Sequence, residues 1–374
     1  MRTSRGKSAA AVLEKDMDVT REHLTWIDTA RGIAIILVVY GHMIGLNTFA
    51  FRFIFAFHMP LFFFVSGYCT GESLAGRRFL PFLWRKTWTL LIPCWIYTNV
   101  LFLITAGPSE FITRISANPL FNIIPVNEWF LPALFLSSIF LWVFSHAEKH
   151  AGSARAKTLF WLFSFVLAMF LAEAGIVSQF FDIFHPYLPF RFDQALICFC
   201  FQSSGYWARN RLPEITSFRL KPTAAAVAVF GAAGAACLMY TYFNSYVNIC
   251  NHAYGRNYIL FFAVAFYFIF LLLLLSKWIT KKTKYLYSFF AFWGANSLFV
   301  YIGQGMLFAC RAKLLAFYES VPYMLNPFWI QTARLLSMPF WGDLGFFICI
   351  FLFLFPLMLI RMRIAGLFNR SRLT

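Results

Sequence analysis

Apolar residues run along this chain in blocks of about twenty, separated by short polar stretches rich in Lys and Arg. The blocks fall at 27–46, 50–71, 87–105, 129–145, 158–175, 192–208, 223–242, 257–276, 286–310 and 343–360. A helix that crosses the hydrocarbon core of a bilayer needs about 20 mostly apolar residues. The pattern therefore predicts an all-α integral membrane protein, a bundle of about ten transmembrane helices. The block 50–71 is dense in Phe. The weakest block is 192–208, which carries Asp193, Gln202, Ser203 and Ser204. The segment 311–342 is semi-apolar and broken by Pro322, Pro327 and Pro339, so it reads as an external loop with interfacial helices.

Charge placement orients the bundle. With the N-terminus in the cytoplasm, 24 Lys and Arg fall on inside segments and 7 on outside segments, with Arg31 inside the first block. That bias is the positive-inside rule. It puts both termini in the cytoplasm, with residues 1–26 as an N-terminal tail, 27–360 as the transmembrane unit and 361–374 as a basic C-terminal tail. Residues 1–25 lack the apolar core of a cleavable signal, so the first span is expected to act as an uncleaved one.

Composition agrees: 60% of residues are hydrophobic and 13% charged, against ~45–50% and ~25% for soluble domains. The net charge of +17 is explained by the inside loops, so no nucleic-acid partner is expected. The eight Cys are scattered through apolar runs without zinc-like spacing, and no metal is expected.

Ionisable groups inside spans are costly and mark functional candidates. Arg31 and His42 are eleven steps apart in the first block. At ~100° per residue they share a helix face, ~16 Å apart along the axis. Asp28 stands three residues before Arg31, the spacing of a helical ion pair. Arg31 reads as an interfacial anchor when taken alone; paired with His42 on one face it reads as functional. The second block carries His58 at similar depth, Pro60 that is expected to kink the helix, and Ser66-Gly67 that permit close helix approach. Arg85 and Lys86 open the third span beside Arg77 and Arg78. These four cations suit either anchoring or an anion site. Glu128-Trp129 opens the fourth span on the outer side. The carboxylate there can hold a sugar or a proton, and the indole can belong to the interfacial belt. In the ninth block, Ser297, Tyr301 and Gln304 form a polar stripe at i, i+4 and i+7.

Taken together, Asp28-x-x-Arg31-Gly…Gly41-His42, Phe57-His58-Met-Pro-Leu-Phe-Phe-Phe-x-Ser66-Gly67-Tyr68, Arg85-Lys86…Pro93 and Trp129-Phe-Leu resemble the acyltransferase type 3 family. The resemblance is greatest to the fucose-4-O-acetylase-like and exopolysaccharide acetyltransferase branch. The motif-bearing region spans roughly residues 25–135. The resemblance implies a multi-pass enzyme of the bacterial cytoplasmic membrane. It would transfer an acyl group, usually acetyl, from cytoplasmic acyl-CoA to a hydroxyl of an extracytoplasmic saccharide. It gives Arg31 and His42 the functional roles in the first span. Arg31, Asp28, Arg85 and Lys86 would serve the donor, His42 and His58 the chemistry, and Glu128, Trp129, Ser297, Tyr301 and Gln304 the acceptor. The family's ninth-span pattern commonly ends in His where this chain has Gln304, and Gln cannot exchange a proton. A rival reading is a transporter or flippase of a lipid-linked sugar or small solute, using the same intramembrane charges as a pathway.

Overall fold

A backbone crossing hydrocarbon must satisfy its own N–H and C=O groups, which leaves helices or a closed barrel. This chain uses helices. The computed structural model describes residues 25–46, 48–70, 72–117, 129–173, 192–211, 223–320 and 341–370. Helix α1 covers 25–41. The second span is two helices, α2 (Phe49–Phe55) and α3 (His58–Thr70), separated by a turn at Ala56–Phe57. Pro60 has no N–H to give the Ala56 carbonyl, so the ladder breaks one turn before it. The third span joins α4 (Phe79–Lys86) to α5 (Ile92–Ala106) through a widened turn at Thr87–Leu91, where the Ile92 N–H reaches back five residues to the Thr87 carbonyl.

There follow α6 (Pro108–Ala117), α7 (Phe130–Ala147), α8 (Ala154–Glu173), α9 (Phe192–Arg211) and α10 (Ala224–Phe243). A small antiparallel hairpin, β1 (Val247–Asn248) and β2 (Ala253–Tyr254), connects α10 to α11 (Tyr258–Lys282). The described chain ends with α12 (Lys284–Ala295), α13 (Ser297–Ser320) and α14 (Trp341–Arg370).

Among the described residues, eight helical segments are long and apolar enough to cross a membrane: Phe49–Thr70, Phe79–Ala106, Phe130–His150, Ala154–Ala172, Ala224–Phe243, Tyr258–Lys282, Ser297–Ala316 and Asp343–Arg363. The protein is an all-α membrane protein. The other two predicted blocks, 27–46 and 192–208, form α1 and α9. Helix α9 is polar because it is enclosed: residues 195–203 are buried against α3, α7 and α8. Its polar groups are used inside the bundle. Gln202 Nε2 donates to Ser66 Oγ (3.2 Å) and Ser138 Oγ (3.1 Å), tying three helices together.

One predicted element differs. The block 286–310 is not a single helix but two, parted at Asn296. The Asn296 side chain donates to the Phe292 carbonyl (2.9 Å) and accepts from Arg361 (3.0 Å). Local side-chain bonding of this kind competes with the helical ladder. The spanning helix starts at Ser297 and continues to Ser320, so residues 311–320 of the expected loop are helical. Residues 321–340 lie outside the described residues.

Two glycine pairs set the closest helix crossings. A Cβ on Gly32 would strike the Phe290 carbonyl oxygen, and one on Gly294 the Asp28 carbonyl oxygen, so α1 and α12 meet backbone to backbone. Gly67 and Gly205 do the same for α3 and α9, against the carbonyls of Gln202 and Phe64. Small residues at crossings are how helices pack without a hydrophobic driving force between them.

Candidate active site

The break before Pro60 shapes the site first. His58 opens α3 and is 2% exposed. Its Nδ1 lies 2.7 Å from the Ile54 carbonyl oxygen, which also accepts the Phe57 N–H (3.3 Å). His42 follows the last residue of α1 and is held in register by its backbone N–H on the Val38 carbonyl (3.1 Å). The Phe55 ring touches both imidazoles edge-on, with centroids 5.9 Å from His42 and 4.7 Å from His58. The two histidines thus converge from different spans on one apolar wedge, His42 exposed at the opening and His58 buried.

Both line a cavity of about 560 Å³. Trp129, at the start of α7, and Tyr301 and Gln304, on α13, line it as well. Gln304 is 3% exposed, and its Oε1 has no hydrogen-bond partner among the described residues. Tyr97 of α5 enters beside it, 6.5 Å from the Tyr301 ring. A Cβ on Gly305 would occupy the position of the Tyr97 hydroxyl, so the glycine makes this corner possible. The hairpin between α10 and α11 closes the cavity with Asn248, Ile249 and Cys250. No Lys, Arg, Asp or Glu is among the described residues lining it.

A second polar cluster lies at the other end of α1. Arg31 Nη1 is 3.5 Å from Asp28 Oδ1, and Arg31 Nη2 is 3.8 Å from Cys69 Sγ at the end of α3. Thr29 Oγ1 meets Thr280 Oγ1 of α11 at 3.2 Å. Arg85 and Lys86 do not join Arg31: Arg85 is exposed on α4, and the Lys86 ammonium sits 5.8 Å above the Phe82 ring.

A family model for an acyltransferase domain, that of acyltransferase family 3, matches residues 24–367. The chain belongs to that family. The chain is also 28% identical over 127 residues to the nodulation protein NolL of Mesorhizobium japonicum (strain LMG 29417 / CECT 9101 / MAFF 303099). That match covers 30% of the chain and 34% of NolL. No solved structure gives a significant match.

The chain therefore carries its motif residues in two clusters at opposite ends of α1. His42, His58, Trp129, Tyr301 and Gln304 share the cavity. Asp28 and Arg31 form the other cluster. Ser297 sits at the start of α13, two turns from Gln304, and does not line the cavity. Glu128 lies outside the described residues. The hairpin residues and Tyr97 escape sequence reasoning. Tyr97 carries no charge to set it apart in an apolar span. Two-residue strands leave no periodicity, although the run of Asn at 244, 248, 251 and 257 signals a turn-rich connection.

Proposed function

We propose that this membrane acyltransferase moves an acetyl group from cytoplasmic acetyl-CoA to a hydroxyl of an extracytoplasmic saccharide, at the bacterial cytoplasmic membrane. The observation that carries the acceptor half is a pair of lone-pair atoms on residues that line the cavity. A carbonyl only accepts, so the Ile54 contact puts the His58 proton on Nδ1 and leaves Nε2 a lone pair in the neutral ring. Gln304 Oε1 is a second acceptor without a donor. Two such atoms suit a ligand with several O–H groups, and Trp129, Tyr97 and Tyr301 give it aromatic walls.

In this reading residues 27–360 are the transmembrane unit, with both tails cytoplasmic. Arg31, oriented by Asp28, meets the donor at the inner end. Arg85 and Lys86 lie on a separate stretch of the inner surface, and there they attract the donor before it binds. The donor's flexible arm covers the ~16 Å between Arg31 and His42. His42 takes the proton from the acceptor hydroxyl as the oxygen attacks the thioester carbonyl. The C–O bond forms, the C–S bond breaks, and the departing thiolate recovers a proton from the His42 imidazolium. His58 Nε2 and Gln304 Oε1 accept from neighbouring hydroxyls and fix which one faces His42. Glu128, beside Trp129 in sequence, is assigned to the acceptor side of the same opening.

The test is transfer of label from radiolabelled acetyl-CoA in inverted vesicles from a strain that makes its surface polysaccharide. Label should reach a saccharide with the wild-type enzyme and fail to do so with His42→Ala and Arg31→Ala. Transfer that survives both substitutions would sink the assignment. The absence of any transfer with donor and acceptor present would sink the acetyl-CoA reading.

A further inference from the structure

The family motifs do not reach α9, yet α9 brings a second guanidinium to the Arg31 cluster. Arg209 lies over the Tyr68 ring, its guanidinium carbon 5.4 Å from the centroid. It makes no hydrogen bond or ion pair with the described residues. Tyr68 and Cys69 are consecutive, so Arg209 and Arg31 flank the same turn of α3. Both guanidiniums and the Asp28 carboxylate lie within electrostatic reach of the Cys69 sulfur. The Asp28 carboxylate pairs with Arg31, and no carboxylate among the described residues pairs with Arg209.

Arg209 is not a frayed helix end. Two residues on, Arg211 Nη2 holds Glu148 Oε1 at 3.0 Å and pins α9 to the turn after α7. The backbone before it is locked by the Gly205 crossing against α3. A half-buried cation without a counter-ion is costly, and an incoming anion offsets that cost. Planar guanidiniums offer paired donors that match phosphate oxygens.

We infer that Arg209 and Arg31 form a two-guanidinium site for the phosphate-bearing head of the acyl donor, with Cys69 beside it. This rests on the donor reading above and adds to it a positioning residue from a helix that the motifs leave out.

Cys69 supplies the readout. In a variant keeping Cys69 as its only cysteine, the alkylation rate by a small maleimide would be measured with and without 3′-phosphoadenosine 5′-phosphate, which carries phosphates and no thiol. Adenosine is the uncharged control. Several-fold protection by the phosphate compound and none by adenosine is expected. Arg209→Gln should raise the concentration needed by roughly 10- to 100-fold, the scale of one charge-assisted hydrogen bond. Arg209→Lys, which keeps the charge, should fall between. The KM for acetyl-CoA should move in parallel, with kcat at saturation little changed. A merely structural role would lower folded yield and kcat without this split, and overturns the proposal. Equal protection in Arg209→Gln and the parent overturns the role of Arg209 and leaves the donor reading standing. No protection in a parent that still transfers acetyl places the phosphates elsewhere and overturns the site. No protection and no transfer overturns the donor reading beneath it.

Discussion

The Nδ1 of His58 lies 2.7 Å from the carbonyl oxygen of Ile54, across the helix break that Pro60 imposes. The bond that Pro60 itself removes is the one to the Ala56 carbonyl; the break at Ala56–Phe57 is what brings the His58 ring to the Ile54 oxygen and so decides a side-chain tautomer. Without the break, the Ile54 carbonyl would be spent on the backbone N–H of residue 58. With it, the oxygen takes the Phe57 N–H at 3.3 Å and the ring Nδ1 at 2.7 Å, and the lone pair of Nε2 is left over. His42 has no such tie among the described residues; only the Phe55 and Phe308 rings lean on it.

This difference gives the two histidines different sensitivities. His42→Ala removes the proposed base and should lower kcat by about 10²–10⁴-fold. His58→Phe keeps the aromatic packing on Phe55 but loses two neutral hydrogen bonds, the one to the Ile54 carbonyl and the one proposed to the acceptor. It should lower kcat/KM for the acceptor by roughly tenfold. Steady-state kinetics with saturating acetyl-CoA would separate them. Equal losses at both positions would mean that His58 shares the proton transfer.

Gln304 should show opposite signs in stability and activity. Its Oε1 is buried without a partner among the described residues, which costs about 1–3 kcal/mol when no ligand is bound. Gln304→Leu removes that cost, so thermal unfolding in detergent should occur at an equal or higher temperature. Acceptor kcat/KM should fall by roughly tenfold, because the hydroxyl loses its acceptor. A variant that loses stability and keeps activity would show Gln304 to be a packing residue.

What the sequence makes legible here is what local spacing encodes. Arg31 and His42 are related by helical period alone, and Asp28–Arg31 by an i,i+3 step, so both relations are available before any fold is known. Pro60 announces its own break. The relations that cross between spans are not local. Nothing in the text of α9 says that Gln202 faces Ser66 and Ser138, and its polarity makes the span look weak when it is in fact the enclosed one. Arg209 is counted among interfacial anchors by position, and only its seat over Tyr68 sets it apart. Asn296 divides the predicted block 286–310 through a side-chain bond whose partner, Arg361, is 65 residues away.

The glycine crossing between α1 and α12 ties the Arg31 cluster to the fold. Gly294→Ala would put a methyl on the Asp28 carbonyl oxygen, and backbone cannot yield as a side-chain tip can. Overpacking of this kind costs about 1–3 kcal/mol. The expected result is a lower unfolding temperature together with a raised KM for acetyl-CoA, since Asp28 and Arg31 move with α1. Gly231→Ala is the control: a Cβ there meets nothing, and Ala favours the helix. If both variants behave alike, the crossing is not as close as this geometry requires.

The hairpin that closes the cavity is held from two sides, and on the proposed assignment loosening either tie should affect the acceptor and spare the donor. Arg52, on α2, donates to the carbonyls of Tyr242 (2.7 Å) and Asn244 (3.3 Å) at the hairpin base. Asn244 Oδ1 in turn accepts the backbone N–H groups of Ser245 (2.9 Å) and Arg256 (2.8 Å), closing the loop on itself. On the other side Gln194 Nε2, from α9, donates to the Cys250 carbonyl (3.0 Å). Arg52 is thus a clamp between the helix that carries Ile54 and Phe55 and the loop that carries Asn248 and Cys250. Arg52→Ala removes charge-assisted bonds worth about 1.5–3 kcal/mol in total, because they share one nitrogen. Hydrogen exchange over residues 244–257 should speed up, and KM for the acceptor should rise by roughly tenfold or more. KM for acetyl-CoA should not move, because the cluster proposed for the donor lies at the far end of α1. Gln194→Leu should produce the same pattern at smaller size, a neutral bond being weaker. If exchange quickens and acceptor KM holds, the hairpin covers the cavity without contributing to recognition. If neither changes, the clamp is not what holds the hairpin in place.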